Sequence, residues 1–381
     1  MRFDALVISV GGKPAPVKTS IETVQPEVLR LLASAQSRAD AEALGAASGA
    51  EWAVLEVDPD DLGAVYRAAR GAIAEVLGSD VRARIAVDYT GGTKTMSSGL
   101  AMAGLDAGVE LFVTSGVRRD ATFVESGEAT VLVHAEDVSG RRQLESSVVP
   151  LVDAGAYGGA AHLVRQIARD QPTAHRGWWL DLLALLEALD HWDRFDHAAA
   201  LDRWPASAKA WAHRSGLLVT LERLVAHAAG APRRDLVGDE PVTDLVLNAE
   251  RRAAERRYDD AVGRLYRATE MVAQLRLLRV HAVAPDQVDG LTGAYEALVE
   301  RRDPAGELWE RDRSKVLDVL ATRNSSLLAH GTTPVDSASW ERVRRALVPF
   351  IGEVAATFGE RHEPVPLPRG SDLLAILPPP W

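Results

Sequence analysis

Apolar residues change their rhythm near residue 145 of the chain. Before that point short β-branched runs alternate with segments of helical spacing. "DALVISV" stops at Gly11-Gly12 as a buried strand would, and "EWAVLEV", "ARIAVDY" and "VELFVTSG" read as further strands. Between them, "QPEVLRLLASAQSR" has helical spacing with Pro26 at a first turn. "DPDDLGAVYRAARGAIAEVLG" predicts a helix with Asp58 as N-cap, Pro59 as first helical residue and Gly78 as its stop. "TKTMSSGLAMAGLDAG" is a helix of small residues, and "ATFVESGEATVLV" predicts a hairpin closed at Ser126-Gly127. Strands separated by helices of this length predict a parallel sheet with helices on both faces. Ligands of such sheets sit beyond the carboxyl ends of the strands, where both glycine turns, Gly11-Gly12 and Gly91-Gly92, fall.

After about residue 145 strand signals nearly vanish. "WWLDLLALLEALDHWDRFDHAAAL", "DLVLNAERRAAERRYDDAVGRLYRATEMVAQLRLLRV" and "ERDRSKVLDVLATRNSSLLAHG" carry apolar residues at helical spacing, and "APRRDLVGDEP" reads as a connection between helices. The chain thus divides into an α/β domain (1–145), an all-α domain (146–361) whose first helices form a connector, and a proline-rich tail (362–381) expected to run over the surface. "RFDHAAAL" from Arg194 echoes "RYDDAVGRL" from Arg257. With two copies and no common repeat period, the echo marks two helix starts after tight turns.

Composition narrows the picture only in places. Apolar residues at 47% and charged residues at 25% are ordinary for a globular protein. The absence of cysteine excludes disulfides and thiolate metal sites. No signal pattern opens the chain and no stretch approaches a membrane span, so a cytoplasmic location is expected. A net charge of -11 argues against a general nucleic-acid coat but leaves room for a local RNA site. Of the 43 basic residues only Lys13, Lys18, Lys94, Lys209 and Lys315 are lysines, and the first three lie in or beside the glycine turns. A lysine is a compact charge suited to phosphate.

The segment "DYTGGTKTM" puts free helix-start amides, two glycines and Lys94 at one strand end, with the hydroxyls of Thr90, Thr93 and Thr95 as further donors. The element suits a phosphodiester or nucleotide. It is not a Walker A loop, because Thr93 separates glycine from lysine; "SVGGKPAP" fails because Pro14 replaces the hydroxyl residue. A tight turn that holds no ligand is the competing reading. Downstream, Arg323 and His330 of "RNSSLLAH" are seven residues apart, about two helical turns on one face. Such a pair suits RNA cleavage without a metal: the histidine handles protons and the arginine holds the phosphate. Asn324 points elsewhere on an ideal helix, so its role would be orienting or structural. Dipole partners at a helix end, stopped by Gly331, are the competing explanation. His191, Asp193 and His197 have irregular spacing for metal ligands, and Trp178, Trp179, Trp192 and Trp204 read as helical core.

"ISVGGKPAPVKTSI" with "DYTGGTKTMSSGLAMAG" resembles the CARF domain of type III CRISPR accessory proteins, and the Arg-Asn-(x)-His pattern resembles the HEPN ribonuclease motif. In this order the two resemble the CARF–HEPN ribonuclease family. The resemblance implies a Rossmann-like CARF domain followed by a helical HEPN domain, acting as a homodimer. It implies a cyclic oligoadenylate activator, with four or six adenylates, held by Gly11, Gly12 and Lys13 and by Thr90, Gly91, Gly92, Thr93 and Lys94 across a two-fold axis. Single-stranded RNA would be cut at a site built from Arg323, Asn324 and His330 of both chains, with Arg267 and Glu270 in support and no metal. Two other readings remain: a sensor that acts through a partner without catalysis, and a CARF domain that degrades its own activator.

Overall fold

A computed structural model describes residues 3–118, 124–133, 136–170, 173–228, 238–324, 332–359 and 364–379. The chain forms two compact units, Met1–Arg142 and Gln143–Trp381. No helix among the described residues is long and apolar enough to cross a membrane.

The first unit is a six-stranded sheet: β1 (Ala5–Val10), β2 (Val28–Ala33), β3 (Glu51–Glu56), β4 (Ile85–Asp88), β5 (Glu110–Arg118) and β6 (Val124–Val133), in the order β3-β2-β1-β4-β5-β6. The first five strands are parallel and β6 pairs antiparallel with β5. Five helices accompany it: α1 (Ala15–Val24), α2 (Arg38–Ser48), α3 (Leu62–Ser79), α4 (Lys94–Ala107) and α5 (Glu136–Gln143). All six residues of β1 are buried. Leu6, Ile8 and Val10 pack on one face with residues of α1 and α2, while Ala5 and Val7 pack on the other with α3 and α4. A two-residue period covered on both sides yields this nearly unbroken apolar run. The sheet reverses direction between β1 and β4, so the turns that follow these two strands are neighbours.

Three sequence expectations fail in this unit. "QPEVLRLLASAQSR" is not a helix. The helix is the preceding α1, which ends with Gln25 in a left-handed conformation (φ 51) before Pro26, and Val28–Ala33 is β2. Arg30 made the run look amphipathic. In the sheet it is 5% exposed and donates to Glu51 at 3.1 Å and Glu75 at 3.0 Å. Burial between two carboxylates removes the cost that would keep an arginine out of a central strand. Second, α3 is capped by Asp61, whose side chain accepts from the Ala64 amide at 2.9 Å, so Asp58 and Pro59 precede the helix, and it runs past Gly78 to Ser79. Third, Ser126 and Gly127 lie inside β6; the hairpin is β5 with β6, and its tip lies outside the described residues.

The second unit is helical: α6 (Val149–Asp153), α7 (Tyr157–Asp170), α8 (Thr173–Asp193), α9 (His197–Arg203), α10 (Lys209–Arg214), α11 (Leu217–Ala228), α12 (Glu240–Ala254), α13 (Tyr258–Arg276), α14 (Gly290–Glu300), α15 (Pro304–Asn324), α16 (Ser337–Ala356) and α17 (Gly370–Ile376). The joints α6–α7, α8–α9, α12–α13 and α14–α15 share one design. Each places its middle residue in the left-handed region: Gly155 (φ 74), Phe195 (φ 64), Arg256 (φ 62) and Arg302 (φ 53). In each, the following amide reaches back five residues, as from Asp196 to His191 and from Arg257 to Arg252. The echo in the sequence was two such turns, but Phe195 is matched by Arg256, two residues out of register with the repeated letters.

Two apolar cores lie within this unit. One gathers Trp179, Trp192 and Trp204 with leucines of α8 and α11; the other gathers α12 to α16 around Trp309, Tyr295 and Phe350. Leu367, Leu373, Ile376 and Leu377 are buried in the first core, Tyr157 donates to the Pro368 carbonyl at 3.3 Å and Trp178 to that of Leu377 at 3.3 Å. The C-terminal segment therefore completes that core and does not run over the surface. A polar clasp joins the cores: Asp193 accepts from Arg251 at 2.8 Å and Arg252 at 2.6 Å, and Asp244 accepts from Trp192 at 3.0 Å.

Candidate functional site

At the switch point of the sheet the two glycine turns touch. A Cβ on Gly11 would lie 2.6 Å from the Gly92 nitrogen, and one on Gly91 would lie 2.0 Å from the Ser9 carbonyl oxygen. Gly92 needs its left-handed backbone (φ 84). Packing thus explains three of the four glycines. Gly12 differs: it is exposed, has no positive φ, and a Cβ there would meet nothing within 4 Å. Lys13 and Lys94 are exposed at the same end of the unit.

Two of the three threonine hydroxyls, those of Thr90 and Thr93, are not the donors expected of them. Thr93 caps α4: its Oγ1 accepts from the Met96 amide at 3.2 Å and donates to the Pro59 carbonyl at 2.6 Å. Thr90 Oγ1 donates to Asp88 at 2.5 Å and accepts from the Thr114 amide at 2.6 Å. Each of these two hydroxyls has one proton, already used within the chain. What the turn offers outward is backbone: the Thr93, Lys94 and Thr95 amides open the first turn of α4 and lie at the positive end of its dipole.

In the helical unit, Arg323 and Asn324 close α15, one turn beyond Val319 and Leu320, which are buried in the core with α13 and α16. His330 lies outside the described residues. Arg267 and Glu270 share α13, paired with each other at 3.0 Å; Arg267 also donates to Gln274 at 2.8 Å. At the opposite end of α15, just before Pro304, Asp303 is 3% exposed, bound by Arg276 and by His281 at 2.8 Å. Burial works to raise its pKa, but bonds from Arg276, the Ala305 amide and His281 outweigh it and hold the carboxyl below its usual range. His191, Asp193 and His197 each have protein partners: Asp196, the arginine clasp and Asp244. No group of three or more metal-ligating side chains is present among the described residues.

Residues that the sequence reading missed lie beneath the β4 turn. Ser9, Asp88 and Thr114 are buried, and Ser97 is half-buried. The signal was present in two strands, each of which carries a polar residue in its final positions, "ALVISV" and "IAVD".

Residues 240–290 and 290–352 match the family model described as the Csm6 HEPN domain, which is the core of α12 to α16. The whole chain overlays on Csm6 of Enterococcus italicus bound to cyclic hexa-2'-fluoro-hexa-dAMP, with TM-score 0.60 at 12% identity, over 98% of this chain and 97% of that one. At that identity the overlay speaks for the fold alone. Can2 of Sulfobacillus thermosulfidooxidans in complex with cyclic tetra-adenylate overlays 48% of this chain and 58% of its own, at 13% identity and TM-score 0.26, too low to argue from. No curated protein matches the sequence. The resemblance to the CARF–HEPN family stands: a Csm6 HEPN match in the helical unit, and a mostly parallel sheet unit before it in a Csm6-like fold.

Proposed function

We propose that the chain is an endoribonuclease of type III CRISPR antiviral defence, switched on by cyclic oligoadenylate and working as a homodimer without a metal. The observation that carries this reading is the combination of the HEPN match over α12 to α16 with two glycine turns in contact at the sheet's switch point. The Csm6 of similar fold is itself bound to a cyclic hexa-adenylate analogue. In this reading the Gly11, Gly12 and Lys13 turn and the Thr90 to Lys94 turn hold the ring through backbone amides and two lysines. Paired by a two-fold axis, they match a repeating ligand.

Cleavage would proceed by attack of the RNA 2′-oxygen on the adjacent phosphorus, with the 5′-oxygen leaving. One His330 takes the 2′-hydroxyl proton, and the His330 of the second copy returns a proton to the leaving oxygen. Arg323 binds the phosphate oxygens as charge accumulates there. Asn324 orients the site, and the Arg267–Glu270 pair supports it. The activator accelerates the reaction only insofar as it binds the active arrangement more tightly.

The test is cleavage of a fluorescent single-stranded RNA in EDTA, with cyclic tetra-adenylate, cyclic hexa-adenylate or neither, beside His330→Ala. We expect cleavage with one ring only, and a loss of at least 100-fold in the variant, on the order of a general acid–base contribution. Ring binding without cleavage by the wild type would overturn the nuclease reading and favour a sensor acting through a partner. Loss of the ring itself in the His330→Ala protein would place a ring-degrading activity outside the HEPN site.

A further inference from the structure

The Gly91 carbonyl oxygen is the acceptor of two side-chain hydroxyls from different elements. Ser9, at 0% exposure near the end of β1, donates to it at 2.6 Å, and Ser97, in the first turns of α4, donates at 3.1 Å. A trans peptide is planar, with its C=O and N–H pointing in opposite directions. Holding the Gly91 oxygen inward therefore turns the Gly92 N–H outward. It emerges beside Gly11, where a side chain would lie 2.6 Å from that nitrogen. The missing Cβ of Gly11 keeps the amide open.

Asp88 fixes the start of the same turn. It is 0% exposed, the last residue of β4, and in no ion pair among the described residues. Its Oδ1 accepts from the Thr90 amide at 2.8 Å and the Thr90 hydroxyl at 2.5 Å, and its Oδ2 from the Thr114 hydroxyl at 3.0 Å. Since the Thr114 proton is committed to Asp88, the contact of 2.8 Å between Thr114 and Thr130 has Thr130 as donor. Neutral donors satisfy the carboxylate without a cation: they come from the turn after β4 and from β5, and Thr130 of β6 donates in turn to Thr114. A buried carboxylate beneath a turn that binds anions opposes the ligand's charge. Its contribution must then lie in geometry.

We infer that Ser9, Ser97 and Asp88 are positioning residues for the activator: they hold the Gly91–Gly92 peptide so that its amide faces an anionic or hydroxyl oxygen of the ring. This assignment rests on the functional reading above. The test uses the full-length protein and titrates cyclic tetra- and hexa-adenylate calorimetrically into the wild type, Ser9→Ala, Ser97→Ala, the double variant and Ser97→Thr. Thermal unfolding checks each fold, and RNA cleavage is measured at saturating ring. The double variant should bind on the order of tenfold more weakly, equivalent to the loss of about one net hydrogen bond. Ser97→Thr, which keeps the hydroxyl, should bind within about twofold of the wild type, and all should cleave at the wild-type rate once saturated. A merely structural role would lower thermal stability and leave the affinity of the folded protein unchanged. Equal affinity of the double variant and the wild type overturns the assignment alone. If the wild type binds neither ring, the functional reading falls and the assignment with it.

Discussion

Asp88 and Asp193 are both buried carboxylates, and each is the last residue of its element. The sheet unit surrounds Asp88 with an amide and two hydroxyls, whereas the helical unit surrounds Asp193 with Arg251, Arg252 and Asn248. Short neutral groups of the turn and of the neighbouring strand fix where the turn begins and bring no cation against the carboxylate. Long guanidinium groups span the space between two packed helices and fasten one apolar core to the other. The first arrangement positions; the second fastens.

The comparison can be broken most severely at the clasp. Asp193→Ala leaves Arg251 and Arg252 with their charges largely buried, and should cost about 3–5 kcal/mol in denaturant unfolding of the helical unit. A loss below about 1 kcal/mol would show that the clasp is not the fastening. Asp303, held by Arg276 and His281, offers a test by pH. Its pKa is lower in the folded than in the unfolded chain, where a carboxyl titrates near about 3.9. The stability it contributes is therefore present above that value and lost as pH falls through the folded one. Asp303→Asn should be less stable than the wild type by on the order of 2 kcal/mol at neutral pH, with the gap closing in acid below about pH 4. A gap constant with pH would contradict this.

The glycines sharpen the contrast from the other side. Gly91→Ala pushes a methyl group onto the Ser9 carbonyl and should lower stability by about 1–3 kcal/mol. Gly12→Ala meets nothing in the chain, so its unfolding should stay within about 0.5 kcal/mol of the wild type while its affinity for the ring falls. Unchanged affinity would remove Gly12 from the proposed site. The smallest effect is expected at Asp106 of α4, which accepts from Tyr66 at 2.7 Å and pairs with Arg142 at the surface. Asp106→Asn should alter stability by no more than about 0.5 kcal/mol. Its informative readout is the ring concentration for half-maximal RNA cleavage, because α4 begins at the turn that we assign to the ring.

Much of the sheet unit was legible in the sequence. β1, β3, β4 and β5 are apolar runs bounded by turns, and α4 has its cap residue and its closing Gly108 in plain view. β2 was not, because Arg30 broke the run and only Glu51 and Glu75, on other elements, make it tolerable there. The C-terminal segment was misjudged for a similar reason. Its prolines suggest an extended surface path, yet the partners of Leu367, Leu373 and Ile376 lie some two hundred residues earlier in the chain. Within the candidate site the exposed members announced themselves by glycine and lysine. Ser9, Asp88 and Ser97 stayed hidden, since a single serine or aspartate at an element's end has many ordinary explanations.

The sequence alone determined the order of an α/β part and a helical part, the two glycine turns at strand ends and the Arg-Asn-His pattern. Each of these is written in local spacing, where propensity and periodicity act over a few residues. The tertiary structure decided that the two turns are neighbours, that a glycine in one keeps the amide of the other open, and which hydroxyls face inward. Those outcomes depend on strand order and on pairs as far apart as Ser9 and Gly91. Contacts between residues so distant in the chain are fixed only when the sheet closes around them.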